Sequence, residues 1–295
     1  MGQNRRRPRD PVERTHAERL ASRDGYFAPE SVIRSVGNSP LTPFLGGGPA
    51  VLLQVAHPLV AAGVVQHSDY RRDLWRRLVR TLRALYLIAF GTKAEAERAG
   101  EAVQAVHARI HGRTQTQLGP FQPGTSYSAS DPELMLWVHA TLVEASLAVY
   151  HRFVCPLSPA DQERYYREMT VVARLFGTPA AVIPPSLADF RAYLDAQLAG
   201  ETITVTPPAR AVAGVILEAP LPTPLRLLVP AHRLSTAGLL PPRLRDEYGL
   251  RWSSLHDRAL RVAARLLGVT STPVLAATAR LAPPARALTF TEPVL

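Results

Sequence analysis

The segment RRLVRTLRALYLIAFGT (76–92), followed closely by AGEAVQAVHARIHG (99–112), constrains the fold of this chain more than any other part of it. Both repeat apolar residues at the three-to-four spacing of a helix, and neither alternates as a strand would. In the first, Leu78, Leu82, Leu85 and Ala89, with Leu74 just before them, trace one apolar face. Thr81 lies inside the edge of that face. Arg77 lies one turn earlier on the same flank, because residues four apart are neighbours on a helix. In the second, Ala96, Ala99, Val103, Val106 and Ile110 share a face. His107 falls beside its centre and is expected to point to the core; His111 sits at its boundary. A buried histidine facing a buried threonine and arginine is a set with which a helical protein can hold a metal cofactor. An arginine beside a core needs an anionic partner, such as a propionate or a buried carboxylate.

The rest of the chain reads the same way. Gly46-Gly47-Gly48-Pro49 predicts a turn that opens a helix over 49–66, kinked at His57-Pro58. Further helices are expected over about 70–90 and 93–111, the latter stopping at Gly112. A loop over 112–129 follows. Asp131-Pro132-Glu133 then sets Asp at the N-cap, Pro at the first helical position and an acid in the first turn, for a helix over about 132–153. Ser158-Pro159 and Ser186 open two more, to about 176 and 199. From 204 to 242 the chain is proline-rich yet apolar, which predicts short helices and packed turns; a last helix is expected near 253–267. No period-2 strand series and no internal repeat is found. The expected fold is all-α, a single-domain helical bundle over 26–270, between a flexible basic arm (1–25) and a Pro/Ala-rich tail (271–295).

Hydrophobic residues make up 46% of the chain, enough for a large core, and the formal net charge is +10. The positive excess is concentrated at Arg5–Arg7, Arg9 and Arg71–Arg83. It suits an anionic lipid surface or an acidic partner. No zinc-finger spacing or RNA-binding aromatic motif accompanies it, so nucleic acid is not an expected partner. The single cysteine, Cys155, excludes an intramolecular disulfide and a cysteine-based metal cluster. The basic N-terminus has no apolar stretch behind it, so it does not read as a signal peptide, and a cytoplasmic location is expected, with or without peripheral membrane contact. The run GPAVLLQVAHPLVAAGVVQ reads as a buried helix rather than a membrane span, because Gln54, His57 and Pro58 interrupt it.

His57 and His139 also fall on apolar helix faces, so three histidines on three helices are expected inside. A histidine on such a face is more often a hydrogen-bonded core residue than a ligand, and the spacing does not make the three converge. His107 and His111 have the HxxxH spacing of a one-helix zinc site, but Ala108 stands where a zinc protease needs glutamate. No GxSxG, P-loop or dinucleotide-binding glycine pattern occurs.

In order along the chain come VLLQVAHPLVAAGVVQHSDY, RRLVRT, FG, VHARIHG and YSASDPELMLWVHATL. This ordered set, over roughly 30–255, resembles the MpaB-type oxygenase family, whose catalytic domain is shared with the rubber oxygenase latex clearing protein. The resemblance implies an all-α, globin-like core holding a b-type haem. It makes His107, in His107-Ala108-Arg109-Ile110-His111, the counterpart of the proximal iron ligand. It makes Arg77 and Thr81 the pocket-lining pair. Two features depart from the pattern. Arg80 stands where the rubber enzymes carry lysine, and the region of their upstream glutamate base offers Gln66, His67 and Asp69. The implied function is haem-dependent oxidation by O₂ of an apolar small molecule such as an isoprenoid, with cleavage of a C=C bond as the family expectation; because no export signal is read, polyisoprene is not the expected substrate. In that reading His107 binds iron, Thr81 and Arg77 are the catalytic candidates, Thr81 by positioning oxygen and Arg77 by polarising the pocket or pairing with a propionate, and Arg77, Thr81, His57 and His139 are cofactor-site candidates. The alternative is a non-catalytic helical protein that binds haem or lipid and docks through its basic face.

Overall fold

The computed structural model describes the backbone of residues 24–67, 70–218 and 223–281, and the side chains of 24–67, 79–218 and 226–267. Most of the expected N-terminal arm, the tail beyond 281, and the side chains of Asp69 and of Arg71 to Arg77 lie outside the described residues. Among the described residues twelve α-helices follow one another. They are α1 (Val32–Gly37), α2 (Leu41–Val55), α3 (Pro58–His67), α4 (Tyr70–Phe90), α5 (Lys93–His107), α6 (Pro132–Val149), α7 (Pro159–Leu175), α8 (Leu187–Ala199), α9 (Pro207–Glu218), α10 (Val229–Gly238), α11 (Pro242–Glu247) and α12 (Ser254–Leu281). The fold is all-α, as the periodicity predicts. One antiparallel hairpin is added where a loop was expected: β1 (His111–Arg113) pairs with β2 (Ser126–Ser128), with Gly112 opposite Tyr127.

The helix starts follow from their caps. The Asp131 side chain accepts from the backbone N–H of Glu133 and Leu134, and Ser158 and Ser186 accept from Asp161 and Asp189. Between α4 and α5 the chain turns in two residues, Gly91 and Thr92. The Thr92 hydroxyl accepts from Glu95 N at 3.3 Å, and Glu95 Oε2 accepts from Thr92 N at 2.7 Å, a reciprocal capping box. Thr92→Ala should therefore cost about 1 kcal/mol in a urea melt. An unchanged midpoint would show that tertiary contacts alone set this turn.

Two expectations fail at α2. Gly46-Gly47-Gly48-Pro49 is not a turn; it lies inside α2, which begins at Leu41. A β-carbon on Gly46 would stand 3.4 Å from Val149 Cγ2 and 3.5 Å from the Ala145 carbonyl of α6. One on Gly48 would stand 2.1 Å from Thr236 Oγ1 and 2.9 Å from His232 Cε1 of α10. The glycines let α2 wedge between α6 and α10, and that contact overrides their poor helix propensity. The kink expected at His57-Pro58 is a full break: α2 and α3 meet at 105°. Pro58, lacking an N–H, opens α3, and the free N–H of Leu59 donates to His57 Nδ1 at 3.3 Å.

α2 and α6 form the centre and run antiparallel, with Gly46 beside Ala145 and Trp137 Nε1 donating to Gln54 O at 3.3 Å. Around them pack Ile33, Val36, Ile88, Phe90, Tyr165, Tyr166, Met169, Phe190 and Leu244 in one continuous core. Tyr248 reaches in to donate to Leu52 O at 2.7 Å. No single helix among the described residues is long and apolar enough to cross a membrane; α2 and α3 pass that test only together, across their bend. Their apolar residues Leu52, Val55, Ala56 and Ala61 are buried in the core instead.

Three boundaries differ from expectation. The helix over 93–111 stops at His107, so His111 is a strand residue. The helix over 132–153 becomes a π-turn at Tyr150–Val154. The helix expected to end near 267 continues to Leu281.

Candidate functional site

The hairpin of α4 and α5 carries the site. Its inner half is packed. On α4, Ala84, Ile88, Ala89 and Phe90 are buried, and on α5, Ala96, Ala99 and Gly100. A β-carbon on Gly100 would come within 2.4 Å of Leu175 O, at the end of α7, and Gln104 Nε2 donates to that same carbonyl at 2.9 Å. There α7 ends, and both faces of the hairpin run on past it. Val103, His107 and Ile110 are half-buried, and Val106 is 40% exposed. On α4, Leu82 and Leu85 are half-buried, while Arg80 and Thr81 are exposed.

The expected face is therefore present in both helices, but its burial stops short. Thr81 lies on the line of Ala84 and Ile88, three and seven residues on, and is nevertheless exposed. His107 is half-buried rather than inside the core. The reason is tertiary: helical spacing fixes the side on which a residue lies, and only a neighbouring element can cover it. Counting outward from the Gly91–Thr92 connection, the level of His107 on α5 is that of Arg76 and Arg77 on α4. The backbone thus brings Arg77 and His107 to the same end of the hairpin, with Thr81 about one turn nearer the connection.

A second contact fixes this end. From His107 the chain runs through Ile110 into β1, and Ala129 N, just after β2, donates to Ile110 O at 2.8 Å. Tyr127 on β2 donates its hydroxyl to Gln66 Oε1 of α3 at 2.6 Å, and Gln66 Nε2 donates to Arg113 O at 3.3 Å. A β-carbon on Gly63 would lie 3.5 Å from the Tyr127 ring and 3.7 Å from Ile110. Tyr127 thereby clamps the hairpin that continues α5 onto α3. The sequence placed Tyr127 in a loop; the signal for its role is the Gly112 opposite it, which leaves room for the phenol.

The other two histidines stand elsewhere. His57 is buried at the α2–α3 break, its ring 5.7 Å from that of Phe121. Its Nδ1 is occupied by Leu59 N–H, so Nε2 carries the ring proton. Burial lowers its pKa to about 4, against a smaller opposing pull from Asp131. His139 is 4% exposed in α6, and neither of its ring nitrogens has a hydrogen-bond partner. Burial alone lowers its pKa to about 4. Both are neutral core histidines, as their helix faces led us to expect for burial, and neither is carried by the α4–α5 hairpin.

Among the described residues no three His, Cys, Asp or Glu side chains group so as to hold a metal ion. A bare ion needs several protein donors. A haem brings four nitrogens of its own and asks the protein for one axial imidazole, a cation for its propionates and apolar walls. His107, Arg77, Leu82, Leu85 and Val103 on the hairpin, with Ile110 just beyond its end, fit that request by residue type and by their place along the chain.

Residues 34–269 match the family model of the ER-bound oxygenase mpaB/B′ and rubber oxygenase catalytic domain. The chain is also similar to two uncharacterized proteins, one from Mycobacterium tuberculosis and one from Mycobacterium bovis. Each is 28% identical over 229 residues, covering 74% of this chain and 87% of the relative. No solved structure matches it.

Proposed function

Because the chain belongs to the mpaB and rubber oxygenase catalytic-domain family, we propose that it is a haem b-dependent oxygenase of an apolar small molecule, in which His107 would hold the haem iron. The observation that supports this most is the half-buried imidazole of His107 on an apolar hairpin face that continues past the packed core. Bound haem would supply activation of O₂, and the helices would bind, orient and shield the substrate. His107 would donate through a neutral imidazole nitrogen. Arg77, at the same end of the hairpin, is the cation for a propionate. Thr81 offers a hydroxyl donor on the same face. Leu82, Leu85, Val103 and Ile110 suit an alkene such as an isoprenoid, and cleavage across its C=C bond would place one oxygen atom of O₂ in each carbonyl product. His57 and His139 are left to structure in this reading.

The test is the visible spectrum of the purified protein, with a pyridine haemochrome assay and circular dichroism as the control for folding. The expected result is a Soret band with about one haem per chain, lost in His107→Ala while the helical signal stays. A His107→Ala variant that keeps stoichiometric haem and an unchanged Soret band would overturn the ligand assignment. A wild-type chain that stays haem-free after reconstitution would overturn the whole reading.

A further inference from the structure

The last described helix presents a second apolar face. On its inner side α12 buries Leu260, which joins Leu45, Val149 and Phe153 in a satellite core. On another side Leu255, Val262 and Leu266 are 66%, 53% and 63% exposed. With exposed Ala259 they sit at intervals of four, three and four residues, so they form one stripe along the helix, about 17 Å long. Arg258 and Arg265, seven residues apart, border that stripe, and Arg261 lies further round on the same side; all three are exposed. None of them forms an ion pair among the described residues. Between 251 and 267 the only acidic residue is Asp257, and it is turned inward to accept from Trp252 Nε1 at 2.8 Å.

We propose that α12 is a docking surface for an anionic lipid bilayer. An apolar stripe edged by arginines is the pattern by which a helix lies in the plane of an interface, its leucines among the acyl chains and its guanidiniums at the phosphates. The charge argues for lipid over a second copy of the chain. Two copies meeting at this stripe would bring their arginine edges together without an acidic residue to offset them. The area argues the same way: the stripe exposes on the order of 300 Å² of apolar surface, against roughly 800 Å² that each partner buries in a stable dimer. The formal net charge of +10 adds long-range attraction to an anionic surface. The proposal does not rest on the haem reading; either holds or fails without the other.

The full chain, sedimented with vesicles, tests it. Expected is binding to vesicles of phosphatidylcholine with about one-third phosphatidylserine, and binding at least about tenfold weaker to phosphatidylcholine alone. Leu255→Ser, Val262→Ser and Leu266→Ser together should weaken binding by about tenfold or more, with unchanged circular dichroism because all three are exposed. Arg258→Gln with Arg265→Gln should weaken it about fivefold per arginine, and added salt should release the wild type. Arg152→Gln with Arg174→Gln removes the same charge from exposed positions on other elements and should weaken it much less. Equal binding by wild type and the triple serine variant overturns the proposal, as does equal loss in both arginine pairs. Sedimentation velocity showing a wild-type dimer that the triple serine variant abolishes also overturns it, in favour of a second copy.

Discussion

Gly48→Ala is expected to destabilise the protein by about 3 kcal/mol, and Gly48→Val by more, although either residue is ordinarily tolerated better in a helix than glycine or nearly so. Glycine at this position gives up about 1 kcal/mol of helix propensity. The structure shows what that sacrifice allows. The β-carbon of alanine would lie 2.1 Å from Thr236 Oγ1, 3.1 Å from Thr236 Cβ and 2.9 Å from His232 Cε1. Neither partner has space to retreat: Thr236 is fully buried, and the His232 ring lies between the carbonyls of Phe44 and Ile216, each 3.2 Å from a ring nitrogen. The helices α2 and α10 must therefore move apart. Thr236→Ala removes the nearest atom and leaves the His232 contact, so the double variant Gly48→Ala, Thr236→Ala should recover part of the loss and not all of it. Urea unfolding of the four proteins measures this. Additive losses, or a Gly48→Ala variant as stable as the wild type, would show that α2 does not pass this close to α10.

The second large effect is acid sensitivity. His57 and His139 have folded-state pKa values of about 4, lowered from 6.5 by burial. The unfolded chain thus takes up a proton at each site at a higher pH than the native one does. Between pH 6.5 and about 4 the unfolded state binds more protons, and stability falls as pH falls. The stabilisation is complete above about pH 6.5, and the loss approaches about 3 kcal/mol per histidine at the acid end. Glu144 acts in the opposite sense. Burial raises its pKa, with Arg191 opposing, so its contribution is present at low pH and is lost as pH rises.

His139→Met separates the parts. It should remove about half of the histidine-dependent acid loss and, at pH 7, raise stability by about 1 kcal/mol or more, because it replaces a buried imidazole whose two nitrogens have no partner. His57→Met should instead lower stability at pH 7, since Leu59 N–H loses its acceptor. Chemical unfolding at several pH values reads both. A His139→Met variant less stable than the wild type at pH 7 would mean that the imidazole holds a group inside the core.

The contrast between the two histidines shows what spacing alone conveys. The sequence marked both as buried, correctly, because period and polarity fix which side of a helix meets the core. It could not distinguish a histidine that caps a helix break from one left without partners, since that depends on which atoms arrive from other segments. The same limit governs the candidate site. The α4–α5 hairpin, the caps at Asp131, Ser158 and Ser186, and the faces carrying Thr81 and His107 were all legible, because each rests on residues within a few positions of one another. That the end of α7 comes to rest on Gly100 and Gln104, while Thr81 and Val106 further out stay exposed, was not, because it depends on where a helix some seventy residues away packs.

By itself the sequence determined an all-α chain, the helix starts at Asp131, Ser158 and Ser186, an interruption of the helix at His57-Pro58, and the side of each long helix that is turned to the core. Only the tertiary structure decided that Gly46 and Gly48 are packing surfaces rather than a turn, that Tyr127 clamps the β hairpin to α3, and that Thr81 is exposed. The physical reason is range. Hydrogen bonds and side-chain periodicity within a helix are set by neighbours in sequence, whereas burial and close approach are set by whichever distant segment fills the adjoining space.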